Sequence, residues 1–290
     1  MSPDQVVQFL ITGLALGSIY ALVALGFTLI FNATGIVNMA QGEFVMLGGI
    51  SAATLAGRFS LPLPLAVVAG ILGAAAIGGL MELLTIHPLR GASSFRLILI
   101  TLGVAIFFQA AALIVFGHDP LHLAPFSGDR PLRLLGATLL PQVLWIWGWL
   151  AIVVIGLQIF YRRSRWGRAM LACSINPEAA AAVGIDVRRI VLLSFVLAAA
   201  LGGLGGVLIA PIASVSYRVG VLWSLKGFGA AVFGGMGSAS GALVGGLALG
   251  VFEALSTGFL SSGYRDAFTL GALILVLILR PQGLLRGRIT

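Results

Sequence analysis

Apolar runs of membrane-spanning length recur along this chain, separated only by short stretches that carry most of its arginines. They fall at roughly 6–31, 36–57, 62–84, 96–117, 142–160 and 190–210, followed by a Gly-rich stretch at 226–258 and a last run at 266–280. A bilayer span needs about 20 apolar residues, and the last run must borrow from Phe259–Asp266 or tilt little. Over the 290 residues the mean hydropathy is +1.10 and only 9% of residues are charged. A soluble chain of this length could not hide so much apolar surface in one core. The sequence therefore predicts an all-α, polytopic transmembrane bundle of about eight to nine passes, forming a single domain over residues 1–290. The start, Met1 to Gln5, has no basic region; the first run is expected to be a retained helix and not a signal peptide.

The net charge of +8 would suggest nucleic acid in a soluble domain. Here the basic residues sit between apolar runs, so the positive-inside rule accounts for them and no nucleic-acid partner is expected. Arg162, Arg163, Arg165, Arg168, Arg188 and Arg189 crowd into 161–189, which is read as the cytoplasmic loop. Counting backwards places 118–141 outside, 85–95 with Arg90 and flanking Arg96 inside, and Arg58 and the N-terminus outside. Counting forwards places 211–225 outside. Arg280, Arg286 and Arg288 put the tail inside only if 226–258 crosses twice, as two short helices broken near Gly237–Gly241.

An internal repeat bears on this. Gly13 to Leu22 (GLALGSIYAL) aligns with Gly246 to Leu255 (GLALGVFEAL). In the double-crossing arrangement the two segments run in opposite directions, as inverted repeats in transporters do; chance similarity in a chain rich in Gly, Ala and Leu is the alternative. Small residues four apart, as at Gly13/Gly17 and Gly246/Gly250, suit close helix packing in lipid. Gly234, Gly235 and Gly237, and Gly35 with Gly42, suit broken helices that expose backbone groups to a conduit.

Polar side chains recur from Asn32 to Glu43 between two apolar runs. A carboxylate at the bilayer centre costs about 2.5–3.5 kcal/mol, so it faces the bundle interior or water. Asn38, Gln41 and Glu43 are candidates for a conduit lining; interhelical hydrogen bonding and capping is the alternative, and Glu43 falls close enough to a turn to sit at the interface. Glu82 lies near a cytoplasmic helix end and reads as solvated. Glu253 lies deeper, with no sequence neighbour of opposite sign. Gln109 is a further polar group within the spans. His118 and His122 flank Pro120, which disfavours the helix that would align them as metal ligands. His87 precedes Pro88 at a predicted cytoplasmic helix end. With one cysteine, Cys173, no intrachain disulfide forms, and no catalytic constellation or metal site stands out. The only lysine, Lys226, precedes Gly227, so the phosphate-binding pattern GxxxxGK[ST] is absent.

Within 161–189, Asn176 suits an N-cap, Pro177 the first helical position and Glu178 the positive helix end. Ala179–Ala182 propagate a helix that Gly184 ends. One short helix outside the bilayer is predicted, a handle that another protein can grip.

That segment, Glu178-Ala179-Ala180-Ala181-Ala182-Val183-Gly184, resembles the coupling loop of bacterial ABC importer permeases. Leu16 to Ile30, Gly35 to Phe44, Arg165 to Ala169, Phe233 to Ala242 and Arg280 to Leu284 resemble, in order, motifs of the branched-chain amino acid permeases, and the likeness covers nearly the whole chain. The length suits the shorter of that family's two paired permeases. The resemblance implies a subunit of the bacterial inner membrane that forms the path for leucine, isoleucine and valine. Asn176, Pro177, Glu178, Ala179, Ala180 and Gly184 would engage an ATPase. The path would draw on Asn38, Gln41, Glu43, Gly234, Gly235, Gly237 and Glu253. It further implies a second, different permease chain, two cytoplasmic ATPases that bind ATP and Mg, an external binding protein, and no cofactor on this chain. Urea or another small amide is the alternative cargo of the same fold. An ion-coupled secondary transporter is the alternative class, with Glu43 and Glu253 as its coupling groups.

Overall fold

The computed structural model describes residues 3–89, 91–134, 136–259, 265–279 and 283–284. Among them are eleven α-helices: α1 (Pro3–Thr34), α2 (Gln41–Gly57), α3 (Leu63–Met81), α4 (Ser94–Phe116), α5 (Pro141–Arg163), α6 (Arg165–Ile175), α7 (Pro177–Ala182), α8 (Val187–Ile209), α9 (Val219–Gly234), α10 (Ala239–Phe259) and α11 (Arg265–Leu279). Six helical stretches are long and apolar enough to cross a membrane, and α9 is a shorter apolar helix. The chain is an integral membrane protein built as a helical bundle.

Burial divides the helices by role. From Ile19 to Ile30 nearly every side chain of α1 is buried, and α8 is mostly buried as well. A helix that is apolar on all sides and still buried lies at the centre of a bundle. By contrast α4 and α5 present Leu99, Ile106, Phe107, Ile114, Ile152 and Ile155 outward, as lipid-facing helices do. α8 is wedged between α1 on one side and α2 and α3 on the other.

The two halves of the internal repeat meet along one seam. A Cβ on Gly13 would lie 2.7 Å from the Val251 Cα and 2.9 Å from the Gly250 oxygen, and one on Gly17 would lie 2.8 Å from the Gly246 oxygen. Gly13 thus faces Gly250 while Gly17 faces Gly246, so α1 and α10 run antiparallel and each copy offers the other the same two glycines. This is a self-complementary contact within one chain. Close backbone approach through small residues is the main source of helix association where no water is present to be expelled.

α9 and α10 form an antiparallel helical hairpin. The turn is at Gly235–Ser238, not at Gly237–Gly241, and the helices have 16 and 21 residues, so the pair begins earlier and is longer than the Gly-rich composition suggested. The turn takes φ values of 108° at Gly235 and 91° at Gly237, which side chains disfavour, so glycine is required at both positions. Leu284 donates its N–H to the Phe233 oxygen beside this turn at 2.8 Å. Arg90, residues 260–264 and the tail arginines 280, 286 and 288 lie outside the described residues.

Connections gather at two ends of the bundle. At one end the Asn32 amide donates to the Gly237 oxygen at 2.9 Å, and the same end carries α6 and α7. At the other, Gln8 brackets Thr138, donating to its oxygen at 3.1 Å and accepting from its N–H at 2.7 Å. Leu121 and Val215 bridge there as well. The loop between α4 and α5 contains a two-stranded antiparallel hairpin, β1 (Leu132–Leu134) with β2 (Ala137–Leu139), in which Arg133 opposes Thr138.

Candidate translocation path and coupling region

Residues 35–40 break the chain between α1 and α2, and polar groups from four helices close around the break. The Asn38 side chain turns back to accept from the Ala40 N–H at 3.1 Å. Gln41 donates to the Ala198 carbonyl of α8 at 2.8 Å. The Ser224 hydroxyl of α9 accepts from the Gly42 N–H at 2.7 Å and donates to the Met39 oxygen at 3.0 Å. Thr101 of α4 accepts from the Met39 N–H at 3.0 Å. Glu43 sits in the bundle interior, 1% exposed, with one oxygen accepting from Gln109 of α4 at 2.8 Å. The Asn38 Nδ2, Gln41 Oε1 and Glu43 Oε2 atoms are buried with no hydrogen-bond partner. Three such groups leave spare polar capacity in the bundle interior, where each unpaired group is costly.

Glu253 acquires the partner its sequence neighbourhood lacked. It is fully buried in α10; one carboxylate oxygen accepts from Lys226 of α9 at 2.7 Å and the other from the Tyr20 hydroxyl of α1 at 2.8 Å. The Tyr20 ring lies beneath the Lys226 ammonium, 5.7 Å from its centroid, and is tilted against Trp223. The only lysine thus pairs with a carboxylate in the bundle interior. Lys226 and Glu253 are 27 residues apart in sequence, so only the hairpin reveals the pair.

The path candidates Gly234, Gly235 and Gly237 lie at the hairpin turn. Gly234 packs against Gly241 backbone to backbone, and Gly237 lines two cavities. One cavity, of about 360 Å³, lies between α1, α5 and α10 and is lined by Asn32, Gln158, Arg162 and Ser238 among others. The other, of about 320 Å³, runs from Thr34 and Gly35 past Met236 to Cys173 and Pro177. The hairpin turn and the α1–α2 break therefore share space with the segment between α5 and α8.

That segment holds two helices where the sequence predicted one. The Ser164 hydroxyl caps α6 by accepting from the Gly167 N–H at 2.8 Å, and the Asn176 side chain caps α7 by accepting from the Ala179 N–H at 2.9 Å. Sequence reasoning missed α6; its Ser-Arg-Trp-Gly start was the available signal, weakened by glycine in the first turn. α7 closes in a paired C-terminal motif: Gly184 donates to Ala181 and Ile185 to Ala180, each at 3.0 Å, with Gly184 at a φ of 88°. Asp186 then caps α8 by accepting from the Arg188 and Arg189 N–H groups. Ala180 is buried and anchors α7, whereas Glu178, Ala179, Ala181, Ala182 and Val183 are exposed. Cys173 faces inward from α6, and burial raises its thiol pKa.

Glu82 is fully buried, a correction to its solvated reading. The last turn of α3 widens into a π-helix, Glu82–Ile86, and brings the His87 ring within 3.7 Å of the carboxylate; Arg188 of α8 contacts the other ring nitrogen. His118 and His122 do not converge: His118 packs against the Tyr217 ring, with centroids 5.6 Å apart.

Residues 9–277 match the family described as "Branched-chain amino acid transport system / permease component". The chain belongs to that family. It is similar to the high-affinity branched-chain amino acid transport system permease protein LivH of Escherichia coli, with 35% identity over 96% of this chain and 94% of that protein. Similarity to the corresponding permease BraD of Pseudomonas aeruginosa is 34%, over 96% of this chain and 95% of that one. A probable LivH of Methanocaldococcus jannaschii is 31% identical, over 92% and 86% of the two chains. The family is that of a branched-chain amino acid permease of the ABC importer class, a transporter subunit and not itself an enzyme.

Proposed function

We propose that this chain carries leucine, isoleucine and valine inward across a bacterial inner membrane, with its motor on other polypeptides. A second permease chain completes the path, an external binding protein delivers the amino acid, and two cytoplasmic ATPases bind ATP and Mg. The N-terminus is outside and the C-terminus cytoplasmic; nine helices, α1 to α5 and α8 to α11, make the crossings, and 161–189 is the cytoplasmic coupling loop.

The observation that carries this reading is α7. A helix of six residues, capped at both ends and anchored by Ala180, offers an exposed face between two spanning helices. Asn176, Pro177, Glu178, Ala179, Ala180 and Gly184 define its shape, and an ATPase that closes on nucleotide moves it as one body. The displacement reaches the path because α6 and α7 border the cavity that ends at Gly35 and Gly237. Asn38, Gln41 and Glu43 at the α1–α2 break, and Gly234, Gly235, Gly237 and Glu253 on the hairpin, supply polar points for a zwitterion in an apolar conduit.

The test is to purify the chain with its ATPases, second permease and binding protein, and to measure ATP hydrolysis stimulated by leucine-loaded binding protein. Deleting residues 176–185 is expected to abolish the stimulation. Stimulation that survives the deletion overturns the coupling role.

A further inference from the structure

Gln158 and Arg162 lie one turn apart on α5, and both are exposed. Neither has a hydrogen-bond or ion-pair partner among the described residues. Both line the cavity of about 360 Å³ between α1, α5 and α10, a size usual for a bound small molecule. Ser238, Ala239 and Ser240 line it as well, so the positive end of α10 opens into the same space. No Asp or Glu occurs between Arg130 and Pro177 or between Val187 and Phe252. The walls from α5, α6 and α10 therefore carry no carboxylate, and the charge lining the cavity is that of Arg162.

Away from this polar end the walls turn to hydrocarbon. Leu25 and Leu243 line the cavity itself. From Val244 to Leu255 the next turns of α10 line a second groove, which α1 enters at Leu14 and in which every lining side chain is apolar. Leu14 precedes Leu25 by about 16 Å along the helix axis. The hydrocarbon of one leaflet is about 15 Å deep. With 161–189 cytoplasmic, as proposed above, the polar end lies at the inner leaflet, whose surface is negative. A neighbouring apolar helix would leave Arg162 and Gln158 unmatched, and a free anion would leave the groove empty; an anionic amphiphile fills both. We infer that this groove holds an anionic phospholipid of the inner leaflet. Arg162 and the N–H groups at the start of α10 donate to its phosphate. Gln158, one turn deeper, donates its amide to a glycerol ester, and an acyl chain lies along α10 beyond Leu243. Leu171 of α6 lines the same cavity, so the lipid touches the segment that carries α7.

The test is native mass spectrometry of the full chain, purified in detergent with whatever subunits accompany it and titrated with dioleoyl phosphatidylglycerol or dioleoyl phosphatidylcholine. This readout depends on neither the orientation in the membrane nor the transported molecule, so its failure is distinct from failure of the proposed function. The wild type is expected to hold phosphatidylglycerol about fivefold more tightly, the scale of one arginine beside an anionic lipid. Arg162→Gln is expected to abolish that preference at an unchanged melting temperature, since Arg162 is exposed and unpaired. Arg163→Gln, outside the cavity, is expected to keep it. Ser240→Glu puts a negative charge at the same end and is expected to act as Arg162→Gln does; it decides where that variant does not purify. Glycerol 3-phosphate, a head without tails, is expected not to displace the lipid. Equal affinity of the wild type for the two lipids overturns the site, as does a preference that survives Arg162→Gln or Ser240→Glu. Displacement by glycerol 3-phosphate overturns it in favour of a free phosphate. A preference shown by the chain alone but lost when a second permease is bound overturns it and gives the groove to that permease.

Discussion

The Lys226 ammonium and the Glu253 carboxylate meet at 2.7 Å across the α9–α10 hairpin, and the Tyr20 hydroxyl of α1 holds the other carboxylate oxygen at 2.8 Å. The hairpin of α9 and α10 is thereby tied to α1, far away in the chain, at one buried point. Removing one partner takes the paired charge away from the other inside the bundle. Lys226→Met is expected to destabilise the bundle by about 3–5 kcal/mol, and pairing it with Glu253→Gln to restore most of that. Thermal melting of the detergent-solubilised variants, with Tyr20→Phe as the milder third member, checks the cycle. Equal losses in the single and double variants would show that the pair is not the source.

The glycine seam between α1 and α10 makes a sharper steric prediction. Gly17→Val places branched carbon where the Gly246 oxygen and Leu247 backbone already lie within 3.0 Å of a Cβ. Overpacking against backbone cannot relax by a rotamer change, so a loss of about 3 kcal/mol is expected. Gly103→Ala in α4 meets nothing within 4 Å and is the neutral control. The readout is the yield of monodisperse protein; equal yields for the two would contradict the seam.

Asn176→Ala removes the side chain that caps α7 and should cost that helix about 1 kcal/mol. With only six residues, α7 has little other local stability, so coupling should weaken before the fold does. Substrate-stimulated ATP hydrolysis by the assembled importer is expected to fall severalfold, with Asn176→Asp close to wild type. An unaltered stimulation in Asn176→Ala would remove the cap from the mechanism.

The buried sole cysteine gives a clean background for sidedness. Cys173 is 2% exposed, whereas Val183 is 78% exposed. Val183→Cys is expected to react with a membrane-impermeant maleimide only in inverted vesicles, and His122→Cys, on the loop between α4 and α5, only in intact cells. Labelling of both positions from the same side would refute the alternation of the spans.

α7 was fully legible because Asn, Pro, Glu, four alanines and glycine act on their own backbone within one short stretch. The same locality explains why Gly235 and Gly237 could be read as a break. Glu82 was misplaced toward water because its burial depends on His87 and on how the last turn of α3 folds around it, and Glu43 could not be placed between conduit and interface because its partner Gln109 lies on α4. Asn38 and Gln41 could be named but not given partners, since Gln41 reaches a carbonyl of α8, 157 residues away.

The sequence by itself determined the medium and the class of fold. Apolar length, arginine placement and small-residue spacing are properties of single segments, and lipid forces each such segment into a helix. Tertiary structure alone decided which helix became the buried centre, that the two repeat copies face each other, and that the single lysine meets a fully buried carboxylate. These are relations between segments far apart in the chain. In a medium that forces every segment into a helix, the helices find one another by fit and charge pairing, which no one segment encodes.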